Sequence, residues 1–279
     1  MKEYLELVRS VLENGERKSS RTGVDTLSAF SAHYSVDLAK GFPLLTTKKM
    51  HWNSVLRELL WYLSGDDHIR NLREHTKIWD AWADDEGRLD TAYGYYWRHF
   101  PSATRDESGA WRVTEIDQIG NVLNALRTNP TSRRMVVTAW EPGNAWSSRL
   151  PPCHYTYVFH VQGGKLNCHL TQRSGDVALG IPFNLAAYAT LTQMLAQEVG
   201  LGLGRFAHSI VDAHIYCASA DGGMAEYDHV GGMLQQIERE PLALPKLYIA
   251  DKPFEELTFE DFKLEGYTSH PPISFKVAV

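Results

Sequence analysis

The sequence predicts an α+β protein in which helices pack against a mixed, twisted β-sheet. Two observations favour this class. Segments with helical spacing interleave with segments whose apolar residues alternate, and neighbouring strand patterns are joined by tight turns rather than by crossover helices. A third observation concerns domain number: no linker, repeat or low-complexity segment divides the chain, so a single domain over residues 1–279 is expected.

Three helices are predicted from apolar residues at spacings of three and four. Residues 2–14 carry such a stripe, residues 53–63 carry another, and a glycine follows each. The third helix is predicted from Ile116 onward and ends before Asn129-Pro130. The polar stretch 101–114, which lies between the second and third helices, predicts a surface excursion.

The central part of the chain changes to the period of a strand. Residues 155–161 alternate, Gly163-Gly164 turns the chain, and residues 166–170 alternate again, which predicts a β-hairpin. Residues 183–199 have few polar side chains and predict a helix that is buried nearly all round. Residues 206–217 alternate as a further strand.

The composition is that of an ordinary globular chain, with 279 residues, 43% hydrophobic and 22% charged. A net charge of −6 argues against a chain-wide electrostatic grip on nucleic acid, so no obligatory nucleic-acid partner is expected. The amino terminus lacks a secretory apolar stretch, and no run approaches the ~18 apolar residues of a membrane span. Three cysteines form neither a disulfide framework nor a zinc ligand set. These features predict a reduced, cytoplasmic protein with no membrane partner and no metal.

Arginines at strand ends indicate an anion site. Arg21 lies in SSRTG, and Arg133-Arg134 lies in TSRRMVV, where Arg134 opens an apolar strand. Arg173 ends another strand before a turn with Ser174 and Gly175. A guanidinium fork binds phosphate through two donors, and Ser174 adds a hydroxyl. The alternative for any single arginine is a solvated surface charge. Several arginines that converge on one dianion predict a pocket for a small phosphate ester.

Cys153 follows Pro151-Pro152 and precedes His154. A free cysteine is most often a small buried hydrophobe, which is the alternative interpretation here. Nearby arginines would lower the pKa of the thiol and make its thiolate a usable nucleophile. Neighbouring side chains of a strand point to opposite faces, so His154 is not expected to activate the sulfur as in a cysteine protease.

Four further side chains suit a cleft that binds a flat heterocycle. Glu58 stands beside an apolar helical stripe, where desolvation would raise its pKa and suit it to proton transfer. Asn184 would cap the buried helix and offers both a donor and an acceptor to a ring edge, and Trp79 and Trp82 offer faces for stacking. Each has a structural alternative: an idle carboxylate, a turn residue (as for Asp176) or core packing.

In combination and in order, these segments resemble the folate-dependent thymidylate synthase family, which includes related nucleotide hydroxymethylases. The motifs are SRTGVDTLSAF, GFPLLTTKKMHW, ELLWYLSGD, IWDAWAD, SRRMVVTAW, LPPCHY, LTQRSGDVALGIPFNLAAY, DAHIY and the terminal KVAV. The resemblance implies an α+β subunit whose twisted sheet face forms a homodimer interface. It also implies methylation of dUMP at C5, with 5,10-methylenetetrahydrofolate as the co-substrate that gives both carbon and hydride.

The resemblance, carried over by position, implies roles for individual residues. Cys153 is implied as the nucleophile toward pyrimidine C6, in a catalytic site with Glu58, Tyr93, His154, Asp176 and Asn184. The nucleotide is implied to be bound by Arg21, Arg173, Ser174, Asn184, His214 and Tyr216, and by Arg133 and Arg134 of the partner subunit. Folate is implied to lie against His51, Ile78, Trp79, Trp82, Asp176, Leu179, Gly180, Phe183 and Ala278, with Lys48 and His51 near its glutamate tail.

Departures from the family pattern leave the product open. Tyr96 stands where the family usually has glutamine, Gly175 replaces a larger residue, and residues 217–232 lack the usual asparagine-histidine continuation. The tail also lacks the usual alanine-proline. A pyrimidine nucleotide 5-hydroxymethylase, which transfers the same carbon but finishes with water, is the alternative. A non-catalytic protein that uses the arginine pocket to hold RNA is a third hypothesis.

Overall fold

A six-stranded sheet forms the centre of the computed structural model, which describes residues 1–90, 92–143 and 145–278. The strands are β1 (Glu16–Lys18), β2 (Asp25–Asp37), β3 (Phe100–Arg105), β4 (Trp111–Ile116), β5 (Val136–Thr138), β6 (Thr156–Gln162), β7 (Lys165–Asp176), β8 (Gly202–Cys217), β9 (Lys246–Ile249) and β10 (Phe262–Glu265). The helices are α1 (Lys2–Asn14), α2 (Trp52–Ser64), α3 (Arg70–Arg73), α4 (Tyr93–Arg98), α5 (Gln118–Thr128), α6 (Gly180–Glu198) and α7 (Val230–Ile237). Val279, the last residue of the KVAV motif and of the predicted domain, lies outside the described residues.

The central sheet has the order β1-β2-β8-β7-β6-β5. Its neighbours are antiparallel except β7 and β8, which are parallel because α6 carries the chain from one to the other. Strands β3 with β4 and β9 with β10 form two small antiparallel sheets. One sheet with both strand directions, packed against helices, confirms the predicted α+β class.

The predicted hairpin is present as β6 and β7, which are joined at Gly163-Gly164. Strand β7 is longer than the alternation indicates and continues to Asp176 through its parallel pairing with β8. The prediction that Arg173 ends a strand before a turn is therefore wrong, since Arg173 and Ser174 lie within β7. A Cβ on Gly175 would lie 2.6 Å from Cδ1 of Ile181, so this departure is explained by the isoleucine that fills the space.

The helix predicted over 183–199 is α6, and it is buried on nearly every side. Two of its polar side chains are satisfied within the helix, because Thr190 and Thr192 donate to the carbonyls of Ala186 at 2.8 Å and Tyr188 at 2.7 Å. The helix begins at Gly180, three residues before the predicted start, as Pro182 is tolerated in a first turn. Asn184 consequently lies inside the helix, and the prediction that it caps the helix is wrong.

The other predicted helices are α1, α2 and α5, but α5 starts later than Ile116. Ile116 ends β4, and Asp117 caps the helix by accepting a hydrogen bond from the Gly120 N–H at 2.8 Å. The stretch 101–114 lies on the surface as predicted, but it forms the exposed β3–β4 hairpin rather than an irregular loop. Within the described ranges, no helix has both the length and the apolar character that crossing a membrane requires.

Candidate functional site

Cys153 lies in the connection that leads into β6, and Arg173 of β7 holds it there. The Arg173 N–H donates to the Cys153 carbonyl at 2.9 Å. The guanidinium donates to the carbonyls of Pro151 at 2.7 Å and Pro152 at 3.0 Å. Its Nη2 also lies 3.5 Å from Cys153 Sγ. The two prolines and the arginine thus fix the sulfur next to a positive charge.

Burial raises the pKa of the Cys153 thiol, and the charges of Arg173 and Arg21 offset only part of that rise. A hydrogen bond with Tyr93 lowers the pKa in the same direction as the arginines. The expectation that the arginines lower this pKa below its ordinary value is therefore wrong for one chain alone. Desolvation of the thiolate outweighs one guanidinium at 3.5 Å and a second that is exposed.

Tyr93 and His154 form a rigid wall beside the sulfur. The Tyr93 hydroxyl accepts a hydrogen bond from the Cys153 N–H at 2.6 Å. The His154 imidazole stacks on the Tyr93 ring at 3.8 Å, and its Nδ1 hydrogen-bonds the Tyr188 hydroxyl at 2.8 Å. Burial lowers the pKa of His154 to about 3, so this ring is neutral at physiological pH. Among the hydrogen bonds of the described residues, none joins His154 to Cys153 Sγ, as the strand geometry predicts.

The position of Tyr93 depends on a close approach of α4 to α2. A Cβ on Gly94 would lie 2.2 Å from the carbonyl oxygen of Tyr62, which is an impossible contact. With glycine there, the Tyr62 and Tyr93 rings meet at 5.4 Å. The departure at Tyr96 lies in the same helix, where the tyrosine is buried against Phe100.

Glu58 is a buried carboxyl on α2, only 8% exposed. The Trp79 indole N–H donates to it at 2.8 Å, and Tyr62 adds another hydrogen bond. Burial raises the pKa of Glu58 to about 7, although both hydrogen bonds oppose the rise. The predicted elevation is confirmed. Tyr62 was not predicted; its signal is a spacing of four from Glu58, which places both on one helix face.

The turn between β7 and α6 presents a carboxylate and an amide. Asp176 Oδ1 accepts from the N–H groups of Ala178 at 2.8 Å and Leu179 at 3.2 Å. Asn184 follows in α6 and is 9% exposed, and within the described residues its amide has no hydrogen-bond partner. The amide atoms of Asn184 keep access to solvent, so their donor and acceptor are available to a ligand.

His214 and Tyr216 stand next to each other on β8, with their rings edge to face at 5.3 Å. Burial alone would lower the pKa of His214, but the carboxylates of Asp212 and Asp176 outweigh it and raise the pKa. Ser174 of β7 pairs with Asp212 across the parallel ladder. The fold therefore brings Ser174 to the strand that carries the histidine and the tyrosine. Asp212 was not predicted as a site residue.

The arginines divide into two groups. Arg21 is exposed, and the adjacent Thr22 hydrogen-bonds Tyr216. Arg133 and Arg134 are exposed just before β5. Among the described residues, the arginines that affect the pKa of the Cys153 thiol are Arg21 and Arg173. Within one chain, Arg21 and Arg173 therefore act on the Cys153 sulfur, and Arg133 and Arg134 do not.

Trp79 and Trp82 meet edge to face at 5.7 Å beside the buried carboxyl. Both tryptophans line a small cleft. Its other lining residues were not predicted from the sequence: Leu89, Asp90, Ser148, Arg149 and Leu150. Of the other predicted folate-side residues, those that are half-buried are Ile78, Asp176, Leu179, Gly180, Phe183 and Ala278. His51, at the start of α2, is exposed.

The carboxyl-terminal tail docks against this region. The Phe275 ring lies 4.8 Å from Lys48 Nζ and 4.8 Å from the His229 ring. The Lys276 carbonyl accepts a hydrogen bond from His229 Nε2 at 2.9 Å. Lys48 is buried, its ammonium donates to the Ala178 carbonyl, and burial lowers its pKa to about 8. The tail is therefore held next to the turn that presents Asp176.

Residues 217–228 leave the end of β8 and come back to it. The His229 N–H donates to the Tyr216 carbonyl at 3.0 Å, so the chain resumes beside the residue from which it departed. A turn from Ser219 to Gly223 closes the excursion. This departure from the family pattern is thus a surface loop that leaves β8 intact. The loop ends at His229, which hydrogen-bonds the tail.

Within the described ranges, no three histidine, cysteine, aspartate or glutamate side chains are grouped to hold a metal ion. The site contains a sulfur that is held by a guanidinium and a carboxyl whose pKa is raised. It also contains an aromatic cleft and an amide without a hydrogen-bond partner in the described part of the chain. This set suits covalent attack on a heterocycle and proton transfer beside a flat ligand.

Comparisons with known proteins agree with this geometry. The thymidylate synthase family model matches residues 2–279. A thymidylate synthase from Haloferax volcanii is 49% identical over an alignment of 326 positions, gaps included, which covers 98% of this chain and 95% of that protein. The chain belongs to the thymidylate synthase family.

Proposed function

We propose that this chain methylates dUMP at C5 to give dTMP through a transient bond between Cys153 Sγ and C6 of the pyrimidine. 5,10-Methylenetetrahydrofolate supplies both the one-carbon unit and the hydride and leaves as dihydrofolate. The observation that carries the proposal is the Cys153 sulfur, fixed 3.5 Å from Arg173 Nη2 in a site that also holds the Asn184 amide, which has no hydrogen-bond partner among the described residues.

The chemistry needs a nucleophile at this position because C5 of uracil is itself a poor nucleophile. When the Cys153 thiolate adds to C6, the electrons of the C5–C6 bond move toward O4 and C5 becomes nucleophilic. After the carbon has been transferred and the C5 proton removed, the sulfur leaves again as a thiolate. The enzyme is regenerated, and one difficult step has become several easier ones.

The nucleotide would be recognised at both its ends. Arg173 already commits Nε and Nη2 to the proline carbonyls, which leaves Nη1, together with Arg21 and the Ser174 hydroxyl, for the phosphate. Asn184 would donate to O4 and accept from N3–H. Cytosine reverses both polarities, and a mispaired buried amide costs about 1–3 kcal/mol. The site therefore favours a uracil nucleotide.

Glu58, whose pKa is raised, and the aromatic cleft would serve the proton and hydride transfers that follow the attack of the sulfur. Glu58, with its pKa of about 7, exchanges a proton near physiological pH and suits a relay between the ring and solvent. Trp79, Trp82 and Phe183 offer faces to the folate ring. The exposed His51 can meet its glutamate tail, whereas Lys48 is buried and its ammonium binds the Ala178 carbonyl. The docked tail would keep water from the hydride step.

The enzyme would act as a homodimer in which Arg133 and Arg134 of the partner subunit complete the phosphate pocket. Large apolar side chains remain exposed on strands of the central sheet in a single chain, with Phe30 at 86% and Val136 at 45%. Such exposure favours burial against a second copy. The added guanidinium charges would lower the pKa of Cys153, which burial alone raises.

A cytoplasmic location follows from the thiols. Cys153, Cys168 and Cys217 are all free. The nucleophile must stay reduced to act, and reducing compartments keep thiols in that state. We therefore infer that the enzyme works in the cytoplasm.

The product distinguishes the methyltransferase from the hydroxymethylase. With dUMP and methylenetetrahydrofolate, we expect dihydrofolate and dTMP to form in equal amounts, because the hydride comes from the folate. Absorbance of dihydrofolate and mass analysis of the nucleotide measure both. A product heavier by an oxygen atom, with no dihydrofolate, would establish the hydroxymethylase instead.

The shared site predicts complementation between two inactive variants. Cys153→Ser and Arg134→Ala proteins, mixed under conditions of subunit exchange, should regain up to about a quarter of wild-type activity, because half the dimers carry one intact site. Each variant alone gives the baseline, and a mixture of Cys153→Ser with Arg173→Ala is the matched control, since both lie in one chain's site. Equal recovery of activity in both mixtures, or no recovery in the first, would contradict the proposal that these arginines reach the partner subunit's site.

A further inference from the structure

Asp212 is a carboxylate whose two oxygens are committed to different partners. Its Oδ2 accepts from Lys18 Nζ at 2.7 Å, and its Oδ1 accepts from Ser28 Oγ at 2.9 Å. The same Oδ1 lies 3.5 Å from His214 Nδ1. The hydrogen bond with His214, followed by those with Lys18 and Ser28, holds the pKa of Asp212 well below its usual range despite partial burial.

These contacts settle which nitrogen of His214 carries the proton. Nδ1 faces two oxygens of Asp212, the backbone carbonyl at 3.3 Å and Oδ1 at 3.5 Å. Neither oxygen donates, so Nδ1 must be the protonated nitrogen. Nε2 is then the nitrogen that remains available to a ligand.

We infer that Asp212 is a positioning residue for recognition of the sugar: it holds His214 in the Nδ1–H form, so that Nε2 meets the 3′-hydroxyl of the nucleotide. The inference rests on the proposed role of His214 as a ligand of that hydroxyl. It assigns to Asp212 no contact with substrate and no part in the chemistry at the ring.

Lys18 gives the arrangement its direction. An ammonium only donates, so it takes one carboxylate oxygen and turns the other toward Ser28 and His214. Lys18 ends β1, and the turn that follows carries Arg21. One carboxylate therefore links the strand that leads to a phosphate arginine with the strand that carries the sugar-binding ring.

A role confined to stability fits these contacts less well. The Lys18 side chain is 58% exposed, and ion pairs this open to solvent contribute little to stability. Ser28 pairs with His214 across β2 and β8, and His214 is only 9% exposed, so these two contacts of the carboxylate are better shielded from solvent. The geometry thus favours orientation of the ring as the main consequence of the carboxylate.

Asp212→Asn tests the inference without a change of size. Lys18 will bind the amide oxygen, which leaves the NH2 group facing Ser28 and His214. A donor now opposes Nδ1, so the ring is driven toward the Nε2–H form and loses its fixed orientation. We expect kcat/KM for dUMP to fall about five- to tenfold, while kcat/KM for 2′,3′-dideoxy-UMP, which lacks the hydroxyl, stays near the wild-type value.

Two further variants separate orientation from general damage. Ser28→Ala removes a donor but keeps the carboxylate, and it should retain the preference for dUMP over the dideoxy nucleotide. Lys18→Met combined with Asp212→Asn frees the amide to turn its oxygen toward His214, and it should restore part of that preference. Thermal unfolding of each variant checks that the fold is intact.

Nuclear magnetic resonance of the His214 nitrogens provides a readout independent of activity. In wild type we expect the proton on Nδ1, and in Asp212→Asn a larger share on Nε2. The pKa of His214 should fall in that variant, although Asp176 of β7 still faces the ring and Tyr216 stays beside it. An unchanged tautomer, or equal losses for both nucleotides, overturns the inference. If wild type and a His214→Ala variant show the same small preference for dUMP, the proposed role of His214 fails first.

Discussion

Replacing Cys153 with serine is expected to abolish dTMP formation while leaving the fold and dUMP binding in place. The contacts that hold this residue use backbone atoms: the Tyr93 hydroxyl accepts its N–H, and Arg173 donates to its carbonyl and to Pro151 and Pro152. Serine keeps all of them. Its hydroxyl ionises far less readily than a thiol, so the rate should fall by at least about a thousandfold.

The covalent bond is the direct measurement. A 5-fluorinated dUMP cannot release its C5 substituent, so the reaction should stop with the nucleotide and folate attached to the enzyme. Denaturing mass spectrometry of wild type should show that adduct on the peptide that contains residue 153, and Cys153→Ser should show none. Cys217→Ser is the matched control, since Cys217, at the end of β8, is also a free cysteine and should keep both adduct and activity.

The same variant separates the enzyme from a protein that only binds. A non-catalytic protein that used the arginine pocket to hold RNA would retain its biological function without the sulfur. Support of thymidine-independent growth by Cys153→Ser in cells that lack their own enzyme would contradict the covalent mechanism. Loss of that support, with the protein still folded and still binding dUMP, is the expected result.

Local patterns predicted the parts of the fold that depend on neighbours in sequence. The hairpin of β6 and β7 and the buried helix α6 were predictable because alternation and apolar content are short-range signals. The extension of β7 to Asp176 was not predictable from a local pattern. It depends on parallel pairing with β8, which is separated from β7 in sequence by the helix α6. The wrong prediction that the strand ends at Arg173 has this cause.

The site shows the same division. The motifs identified the sulfur, the arginines and Glu58, but a motif does not contain the environment of a side chain. The pKa of Cys153 is raised because burial outweighs the arginine charges, a balance that depends on packing. Asp212 was overlooked because its partners, Lys18 and Ser28, come from strands far away in sequence.

Glu58→Gln is expected to lower kcat by about a hundred- to ten-thousandfold, the range typical of a lost general acid–base group. Glutamine keeps the size and still accepts from the Trp79 indole, so substrate binding should change little. The pKa of about 7 predicts that wild-type kcat titrates near neutrality. That transition should be absent from Glu58→Gln. Tyr62→Phe removes a hydrogen bond that lowers the pKa of Glu58, so its transition should move to higher pH.

Stability should respond to pH with a definite sign. The pKa of Glu58 rises on folding from 4.5 to about 7, so its protonated form is favoured in the folded state. This contribution is fully present below pH 4.5 and is lost as pH rises through about 7. Glutamine never ionises, so at about pH 8 the variant should be more stable than wild type by on the order of 3 kcal/mol, and near pH 4 the two should match. Denaturant unfolding at both pH values measures this, and a variant that is less stable at the higher pH would contradict a buried, elevated carboxyl. Glu58 thus lowers the stability of the fold when it is ionised, and it speeds the reaction when it exchanges a proton. A proton relay that is built into a protein core requires both properties.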